Sequence, residues 1–226
     1  MVPSVFVINL ADRVDRWQDC LAQGHKVKFP LKRVEAVKPQ EVESVIFTTP
    51  NIAACWESHR KAMLQLIESG DEFALILEDD FFIPNRALNF DLEEFKIQGL
   101  DFLQLGFLKT TWRETIYITV ENIYDRFVRL YGRIESIFFR SSASRKLLVR
   151  ERAELGSKFV FADVRPGAHA YIINRQGALY FTQLNNPIFL STDDLYMATA
   201  PMRGIRMARL RKSVVSQSGS ASSIRV

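Results

Sequence analysis

The sequence predicts an α/β fold in which a mostly parallel central sheet is flanked by helices. Two observations lead to this class. Short apolar runs, such as SVFVINL at 4–10 and EFALIL at 72–77, have the uninterrupted β-rich character of strands that are covered on both faces. Segments with helical spacing separate these runs, and strands that alternate with helices along a chain form layered α/β domains.

The composition is that of an ordinary globular protein with a sizeable core. Of 226 residues, 47% are apolar and 25% are charged, which excludes a disordered chain. No apolar run approaches the roughly 20 residues that span a bilayer, and the first residues resemble a strand rather than a basic leader. The two cysteines, Cys20 and Cys55, fit reduced thiols. We therefore expect a cytoplasmic protein.

The first strand is followed by a helix, which is the opening half of a βαβ unit. Asp12 suits the position before the helix, and Val14, Trp17 and Leu21 recur at helical spacing. A second strand is predicted at 31–37.

The segment 50–69 carries the clearest helix signals. Thr49 can cap the first turn, Pro50 suits the first helical position, and Gly70 can end the helix. One face holds mainly apolar residues, namely Ile52, Cys55, Trp56, His59, Met63, Leu66 and Ile67.

Further elements follow, although the pattern between 107 and 165 is weaker. For the helix of TDDLYMATA, Thr192 or Asp193 is the predicted cap. The other predicted elements are strands at 72–77, 100–106 and 168–174 and a helix that begins in RQGALYFTQL after residue 174.

We predict one domain over residues 1–200 and a basic, Ser-rich tail over 201–226, with flexibility expected for its last part, SVVSQSGSASSIRV at 213–226. The net charge is +4, and five cations at 203–212 stand without an acid among them. This stretch could bind the phosphates of anionic lipid or nucleic acid, or it could be a solvated basic segment. Its apolar residues do not form a clean amphipathic stripe.

Three acidic residues, Glu78, Asp79 and Asp80, directly follow the strand at 72–77. Ligands of open α/β sheets gather beyond the carboxyl ends of strands. In an extended chain Glu78 and Asp80 share one side, and such carboxylates suit Mn²⁺ or Mg²⁺ bound to phosphate oxygens. A solvated loop or an acidic cap is the alternative interpretation.

Two arginines and a histidine add to this hypothesis. Arg13 and Arg16 follow the first strand, so they would lie at the same sheet edge, where guanidinium groups and a helix N-terminus can bind phosphate. His59 lies on the apolar face of the helix at 50–69. Without other evidence, the arginines could be solvated and His59 could be a satisfied core residue.

Several ordered pieces resemble glycosyltransferase family 25, which includes bacterial lipooligosaccharide β-galactosyltransferases and procollagen galactosyltransferases. The resemblance extends to about residue 197 and depends on the order and spacing of the pieces. They are FVINLADRVDRW, VEAV, ACWESHRKAM, LILEDDF, AYIINRQGA and STDDLYM.

The resemblance implies a GT-A-like single domain and a UDP-sugar donor, most often UDP-galactose. Glu78, Asp79 and Asp80 would be the counterpart of the Asp-x-Asp motif that binds Mn²⁺. Asp193 would match the acid of a late motif, although Ser191 stands where proline is common. By the same resemblance, the residues near the nucleotide would be Asn9, Arg13, Arg16, Ser58 and His59.

The predicted function is therefore metal-dependent, inverting transfer of a hexose from a UDP-sugar to a hydroxyl of a glycan or lipooligosaccharide in lipopolysaccharide biosynthesis. Asp193 is the predicted general base, Asp194 its alternative, and Asp163 a third candidate. Peripheral contact with the inner face of the membrane through 203–212 would suit a lipid-linked acceptor, and no specific nucleic-acid binding is expected.

Two other function classes remain open from the residues alone. One is a metal-dependent phosphohydrolase or nuclease that uses Glu78, Asp80 and Asp193, although the chain has just three histidines to add as ligands. The other is a non-enzymatic membrane- or nucleic-acid-binding module that uses the basic stretch.

Overall fold

The computed structural model describes residues 4–27, 30–42, 48–84, 95–96, 98–108, 158–185, 187–202 and 204–218. The chain divides into two compact units, one formed by 1–107 with 161–226 and the other by 108–160. The expectations for the segment between 109 and 157 lie outside the described residues.

The strands and helices predicted within the described residues are present in the predicted order, and four further short strands, at 81–82, 159–161, 207–210 and 216–217, were not predicted. The strands are β1 Ser4–Asn9, β2 Leu31–Glu35, β3 Phe73–Glu78, β4 Phe81–Phe82, β5 Phe102–Gly106, β6 Phe159–Phe161, β7 Ala170–Asn174, β8 Met207–Leu210 and β9 Ser216–Gln217. The helices are α1 Val14–Val27, α2 Pro50–Ser69, α3 Arg175–Gln183 and α4 Thr192–Thr199.

Seven of these strands form one sheet in the order β2-β1-β3-β7-β5-β8-β6. β1 pairs in parallel with both β2 and β3, and β5 pairs in parallel with β8. β7 runs antiparallel to its neighbours β3 and β5. The predicted α/β class with a mostly parallel, helix-flanked sheet is confirmed, and it is consistent with a GT-A-like fold.

The sheet is covered on both faces, as the apolar runs predict. Every residue of β1 is buried, and so is every residue of β3 before Glu78. On one face, aromatic rings from the sheet and from α3 and α4 pack with centroids 4.8–5.9 Å apart. These rings belong to Phe102, Tyr171, Phe181 and Tyr196.

The local signals of α2 act as predicted. The Thr49 side chain accepts a hydrogen bond from the Ile52 amide, Pro50 occupies the first turn, and Gly70 ends the helix at φ 76°, where a side chain would be strained. None of the described helices combines the length and apolar character needed to cross a membrane.

Part of the predicted tail is ordered. Within residues 201–226, β8 is a buried strand of the central sheet, and β9, which lies in the stretch expected to be flexible, pairs antiparallel with β4. Arg209 lies on β8 and forms an ion pair with Asp163 at 2.6 Å, so its charge is accommodated inside the fold. Residues 207–217 therefore contribute to the sheets, and the domain boundary at residue 200 stays a prediction.

Gly177 sits where the first turn of α3 meets the backbone before β5. A Cβ at this position would lie 2.6 Å from the Asp101 carbonyl oxygen, which a rotamer change cannot relieve. We expect Gly177→Ala to lower the free energy of unfolding by about 1–3 kcal/mol, measured by urea denaturation. Leu179→Ala, at an exposed position of the same helix, is the control and should change it by less than about 0.5 kcal/mol.

Candidate functional site

The site is built at the carboxyl ends of two parallel neighbours, β1 and β3. Their register pairs Ile8 with Glu78, so Asn9 and Asp79 follow at the same level of the sheet edge. α1 begins just beyond β1, and α2 passes the same edge. The predicted gathering of Asn9, Arg16, His59 and the acidic residues is therefore a consequence of strand register.

Asp79 is the most fully paired of the three acids. One carboxylate oxygen accepts a hydrogen bond from Asn9 Nδ2 at 2.8 Å, and the other contacts Arg16 Nη1 at 2.8 Å. The Arg16 and Asp79 side chains are 8% and 11% exposed. The Cys20 thiol donates to the Asp79 carbonyl oxygen at 3.3 Å. Asp79 thus fastens β3 to β1 and α1, and these contacts do not favour it as a metal ligand.

Glu78 belongs to a buried chain of polar groups. Its Oε1 lies 3.3 Å from His59 Nε2, and His59 Nδ1 lies 2.9 Å from the Tyr171 hydroxyl. The Tyr196 hydroxyl donates to that of Tyr171 at 3.0 Å. The chain links the end of β3 to α2, β7 and α4, and it fixes the orientation of the imidazole ring.

The charges of His59 and Glu78 stabilise each other. Burial alone would lower the pKa of His59, but the surrounding groups of Tyr171, Cys55 and Glu78 raise it well above its ordinary value. Burial favours the neutral form of Glu78, but the hydrogen bond with His59 and the charges of His59, His169 and Arg16 together outweigh it and lower the pKa of Glu78. Glu78 is therefore an ionised carboxylate at neutral pH.

Asp80 differs from the other two acids because its carboxylate is poorly satisfied. The residue is 8% exposed, and within the described part of the chain its Oδ1 has no hydrogen-bond donor. Burial, followed by the charges of Glu78 and Asp79, raises the pKa of Asp80 to about 6. Its carbonyl oxygen accepts from the Ser218 amide at 2.7 Å, and the β4–β9 pair follows directly. The backbone thus holds a buried, electron-rich oxygen in place.

An open pocket lies over this edge of the sheet, with about 740 Å³ of space when the adjoining open solvent is included. Its walls combine apolar residues such as Ile8 and Ala54 with a set of polar residues. The polar lining includes Asn9, Arg16, Ser58, His59, Glu78, Asp79 and Asp80. Seven of the ten predicted site residues therefore meet in one pocket.

Arg13 and Ser58 have structural contacts. The Arg13 guanidinium is paired with Asp15 at 2.7 Å near the surface, and Arg13 does not line the pocket. Ser58 lines it, but its hydroxyl donates to the Ala54 carbonyl oxygen and accepts from the Val37 amide. Ser58 thereby joins α2 to the segment after β2.

The two predicted base candidates lie at the start of α4 and do not line the pocket. Ser191 caps this helix by accepting from the Asp194 amide, so the predicted caps Thr192 and Asp193 are wrong. Asp194 is exposed and accepts from the Ser191 hydroxyl at 2.6 Å. Asp193 accepts from the Gly167 amide at 2.9 Å, and burial raises its pKa.

The residues fit a bound cation. Asn9 Oδ1 and Asp80 Oδ1 are buried acceptors that have no donor among the described residues, and both residues line the pocket. A buried acceptor without a donor is costly unless a ligand or an ion satisfies it. Ionised Glu78 and Asp80 supply the oxygen atoms that Mg²⁺ and Mn²⁺ prefer.

Two residues that sequence reasoning left out also belong to the site. Tyr171 contacts His59 and Cys55 faces the pocket, where its thiol lies within 4.8 Å of a His59 nitrogen and a Glu78 oxygen. The four-residue spacing of Cys55 and His59 on a helix could have indicated the second of these. Tyr171 had no such signal because its partner is 112 residues away.

The comparison with protein families places this site in a known context. The model of glycosyltransferase family 25 (LPS biosynthesis protein) matches residues 2–196. The chain belongs to glycosyltransferase family 25. It is therefore a glycosyltransferase of LPS biosynthesis, with a nucleotide-sugar donor and a glycan acceptor. A search of curated proteins found no match.

Family 25 membership decides among the classes that the residues left open. It confirms the prediction that the chain is an enzyme of the glycosyltransferase class. The alternatives, a phosphohydrolase or nuclease and a purely non-enzymatic binding module, are set aside. It also accounts for a polar pocket beyond the ends of β1 and β3, where open α/β sheets bind their ligands.

The raised pKa of Asp80 predicts a pH-dependent stability of the metal-free protein. Asp80 holds its proton more tightly when folded, because its pKa rises from 3.8 to about 6. Ionisation therefore lowers stability as pH rises from 4 to 6, by up to about 3 kcal/mol. In EDTA, we expect Asp80→Asn to match the wild type at pH 4 and to exceed its unfolding free energy at pH 7. A difference that is constant with pH would contradict this assignment.

Proposed function

We propose that this family 25 enzyme transfers a hexose, galactose by its resemblance, from a UDP-sugar to a hydroxyl of a glycan or lipid-linked glycan. The proposal depends most on one observation: in the part of the chain that the structure describes, the buried Asp80 Oδ1 has no donor, and it lies beside ionised Glu78 in an open pocket. An oxygen of this kind favours a bound cation. A cation in this place would in turn bind the diphosphate of a nucleotide-sugar donor.

Glu78 and Asp80 are the proposed ligands of Mn²⁺ or Mg²⁺. When bound, the ion would neutralise the negative charge that develops on the departing diphosphate. Arg16 adds a fixed positive charge to the same wall, where Asp79 holds its guanidinium at 2.8 Å. Asn9 lines the same pocket, and its Oδ1 has no donor among the residues that the structure describes. Asp79 thus serves the site by positioning Arg16 and Asn9.

Asp193 is the proposed general base for the acceptor hydroxyl, and inversion requires the base opposite the leaving group. Burial raises its pKa, and a base with a pKa nearer to neutrality removes a proton more effectively than an ordinary carboxylate. The Gly167 amide fixes its orientation. Asp194 and Asp163 are weaker candidates, because Asp194 accepts the hydroxyl of the cap Ser191 and Asp163 is paired with Arg209.

Peripheral membrane contact through 203–212 belongs to the same proposal, since the acceptor would be lipid-linked. Arg206, Arg211 and Lys212 are exposed, whereas Arg209 is buried and paired. The exposed cations would favour an anionic surface by electrostatic attraction. A cytoplasmic enzyme at the inner face of the membrane would meet both a nucleotide sugar and a lipid-linked glycan.

A donor screen tests the proposal. Release of UDP is measured for UDP-galactose, UDP-glucose and their N-acetyl derivatives, with lipooligosaccharide as acceptor and Mn²⁺ present, and EDTA provides the metal-free control. We expect one UDP-hexose to be preferred and EDTA to abolish its turnover. Turnover that persists in EDTA would contradict the metal, and turnover with none of the UDP-sugars would contradict the donor class.

A further inference from the structure

We propose that Cys55, His59 and Glu78 form a second cation site in the pocket, one for a thiol-binding divalent ion such as Zn²⁺. The argument for zinc binding depends only on these three side chains. The expected effect of zinc on donor binding rests on the function proposed above. Zn²⁺ bound there would compete with both the hard cation and the UDP-sugar.

Helical spacing and the sheet edge bring the three ligands together. Cys55 and His59 are four residues apart on α2, so they face the same direction, and β3 ends at Glu78 opposite them. One ligand atom from each residue lies within 4.8 Å of the other two. Tetrahedral zinc, with bonds of about 2.0–2.3 Å, needs these atoms slightly closer, which small side-chain rotations provide.

The mixture of sulfur, nitrogen and oxygen ligands favours zinc over manganese or magnesium. Thiolate and imidazole groups bind Zn²⁺ in proteins, whereas Mg²⁺ and Mn²⁺ prefer oxygen. The ion would take the place of the proton between His59 Nε2 and Glu78 Oε1, which are 3.3 Å apart. Three protein ligands leave a fourth position, and all three residues line the pocket, so that position is accessible to a water or a phosphate oxygen.

Outer contacts already orient these ligands. The Tyr171 hydroxyl lies 2.9 Å from His59 Nδ1, and its ring stacks on the imidazole with centroids 5.7 Å apart. This leaves Nε2 directed at Glu78. The Cys55 sulfur lies 3.6 Å from the Thr192 hydroxyl. A metal-binding histidine is commonly fixed by a hydrogen bond on its other nitrogen, and Tyr171 supplies that partner.

Both proposed cation sites use Glu78. An ion at one site would therefore weaken binding at the other, through competition for the carboxylate and repulsion between the two cations. Zinc bound to Cys55 and His59 would also occupy part of the pocket volume that the donor needs. The expected consequence is inhibition of transfer by Zn²⁺ that higher concentrations of Mn²⁺ and UDP-sugar relieve.

Cobalt provides a direct test, because Co²⁺ bound to a thiolate gives a charge-transfer band in the near ultraviolet. We expect the full-length, metal-free protein to develop this band with one equivalent of Co²⁺ and to lose it when Zn²⁺ is added. Cys55→Ser should abolish the band. Cys20→Ser is the matched control, because it removes the other thiol of the chain and should keep the band. Tyr171→Phe should weaken Co²⁺ binding by about 10–100-fold.

Inhibition supplies the second readout. The Zn²⁺ concentration that halves the transfer rate should rise at least ten-fold in Cys55→Ser, with each protein compared with its own zinc-free rate. A wild type without the band, or a band that depends on Cys20, would overturn the zinc site. Equal zinc sensitivity of wild type and Cys55→Ser would overturn the competition. A band without any transfer activity would contradict the proposed function and support this site.

Discussion

Asp80→Asn is expected to lower the rate of UDP-hexose transfer by on the order of 10²–10³-fold while the protein stays folded. Asn keeps the size of the side chain but removes the charge that would bind the cation. Asp80 is buried, and its Oδ1 has no donor among the described residues. Removing its negative charge therefore leaves no hydrogen-bond donor unsatisfied. The rate is measured as UDP release with saturating Mn²⁺, and folding as thermal unfolding.

Two comparisons make this prediction specific. Asp12→Asn removes a carboxylate that is 61% exposed and paired with Lys38, so its rate should stay within about two-fold of wild type. The increase in melting temperature that Mn²⁺ with UDP gives the wild type should be absent in Asp80→Asn. Unchanged turnover in Asp80→Asn, or a loss of activity that merely follows a loss of folding, would contradict its role.

Asp79→Ala is expected to have the largest effect on stability, a loss of about 3–5 kcal/mol in the free energy of unfolding. The change leaves the Arg16 guanidinium buried without its carboxylate and removes the acceptor for Asn9 Nδ2. A buried charge that loses its hydrogen-bonded partner costs more than the original ion pair contributes. Urea denaturation at neutral pH provides the measurement.

The controls use other pairs on the same helix. Asp15→Ala breaks the Arg13–Asp15 pair at the surface, where both side chains are well exposed, and should leave stability unchanged within error. In a double-mutant cycle, Arg16→Ala should be less harmful in the Asp79→Ala background than in the wild type. Purely additive effects would show that Asp79 does not hold Arg16.

The variants Asp79→Ala and Asp80→Asn distinguish the roles of two neighbouring acids. Asp79 is expected to govern stability because its oxygens are occupied by Asn9 and Arg16. Asp80 is expected to govern catalysis because its Oδ1 has no donor among the described residues. We therefore expect Asp79 to act as a structural group, and Asp80 with Glu78 to act as ligands of the cation.

Much of the fold could be predicted from the sequence because its signals are local. The bounds of α2 follow from Thr49, Pro50 and Gly70, whose effects act within one turn of the helix. The buried strands β1 and β3 follow from continuous apolar runs, which only a sheet covered on both faces can accommodate. Their shared direction placed Asn9, Arg16 and the acids at one edge.

The remaining features depend on contacts between residues far apart in sequence, which no local pattern encodes. Residues 207–217 were predicted as part of a basic, Ser-rich tail with flexibility expected from residue 213, yet β8 is buried beside β5 and Arg209 is paired with Asp163. Likewise, the cap of α4 is Ser191 because its hydroxyl, and not that of Thr192, reaches the Asp194 amide.

By itself, the sequence determined the main strands and helices and that an acidic turn ends a buried strand beside arginines and a histidine. Only the tertiary structure decided the partners of the acids: Asp79 contacts Arg16 and Asn9, Glu78 contacts His59, and Asp80 Oδ1 has no donor among the described residues. The physical reason is that a carboxylate's role depends on its desolvation and its partners, and both are set by strand register and by helices packed from distant parts of the chain.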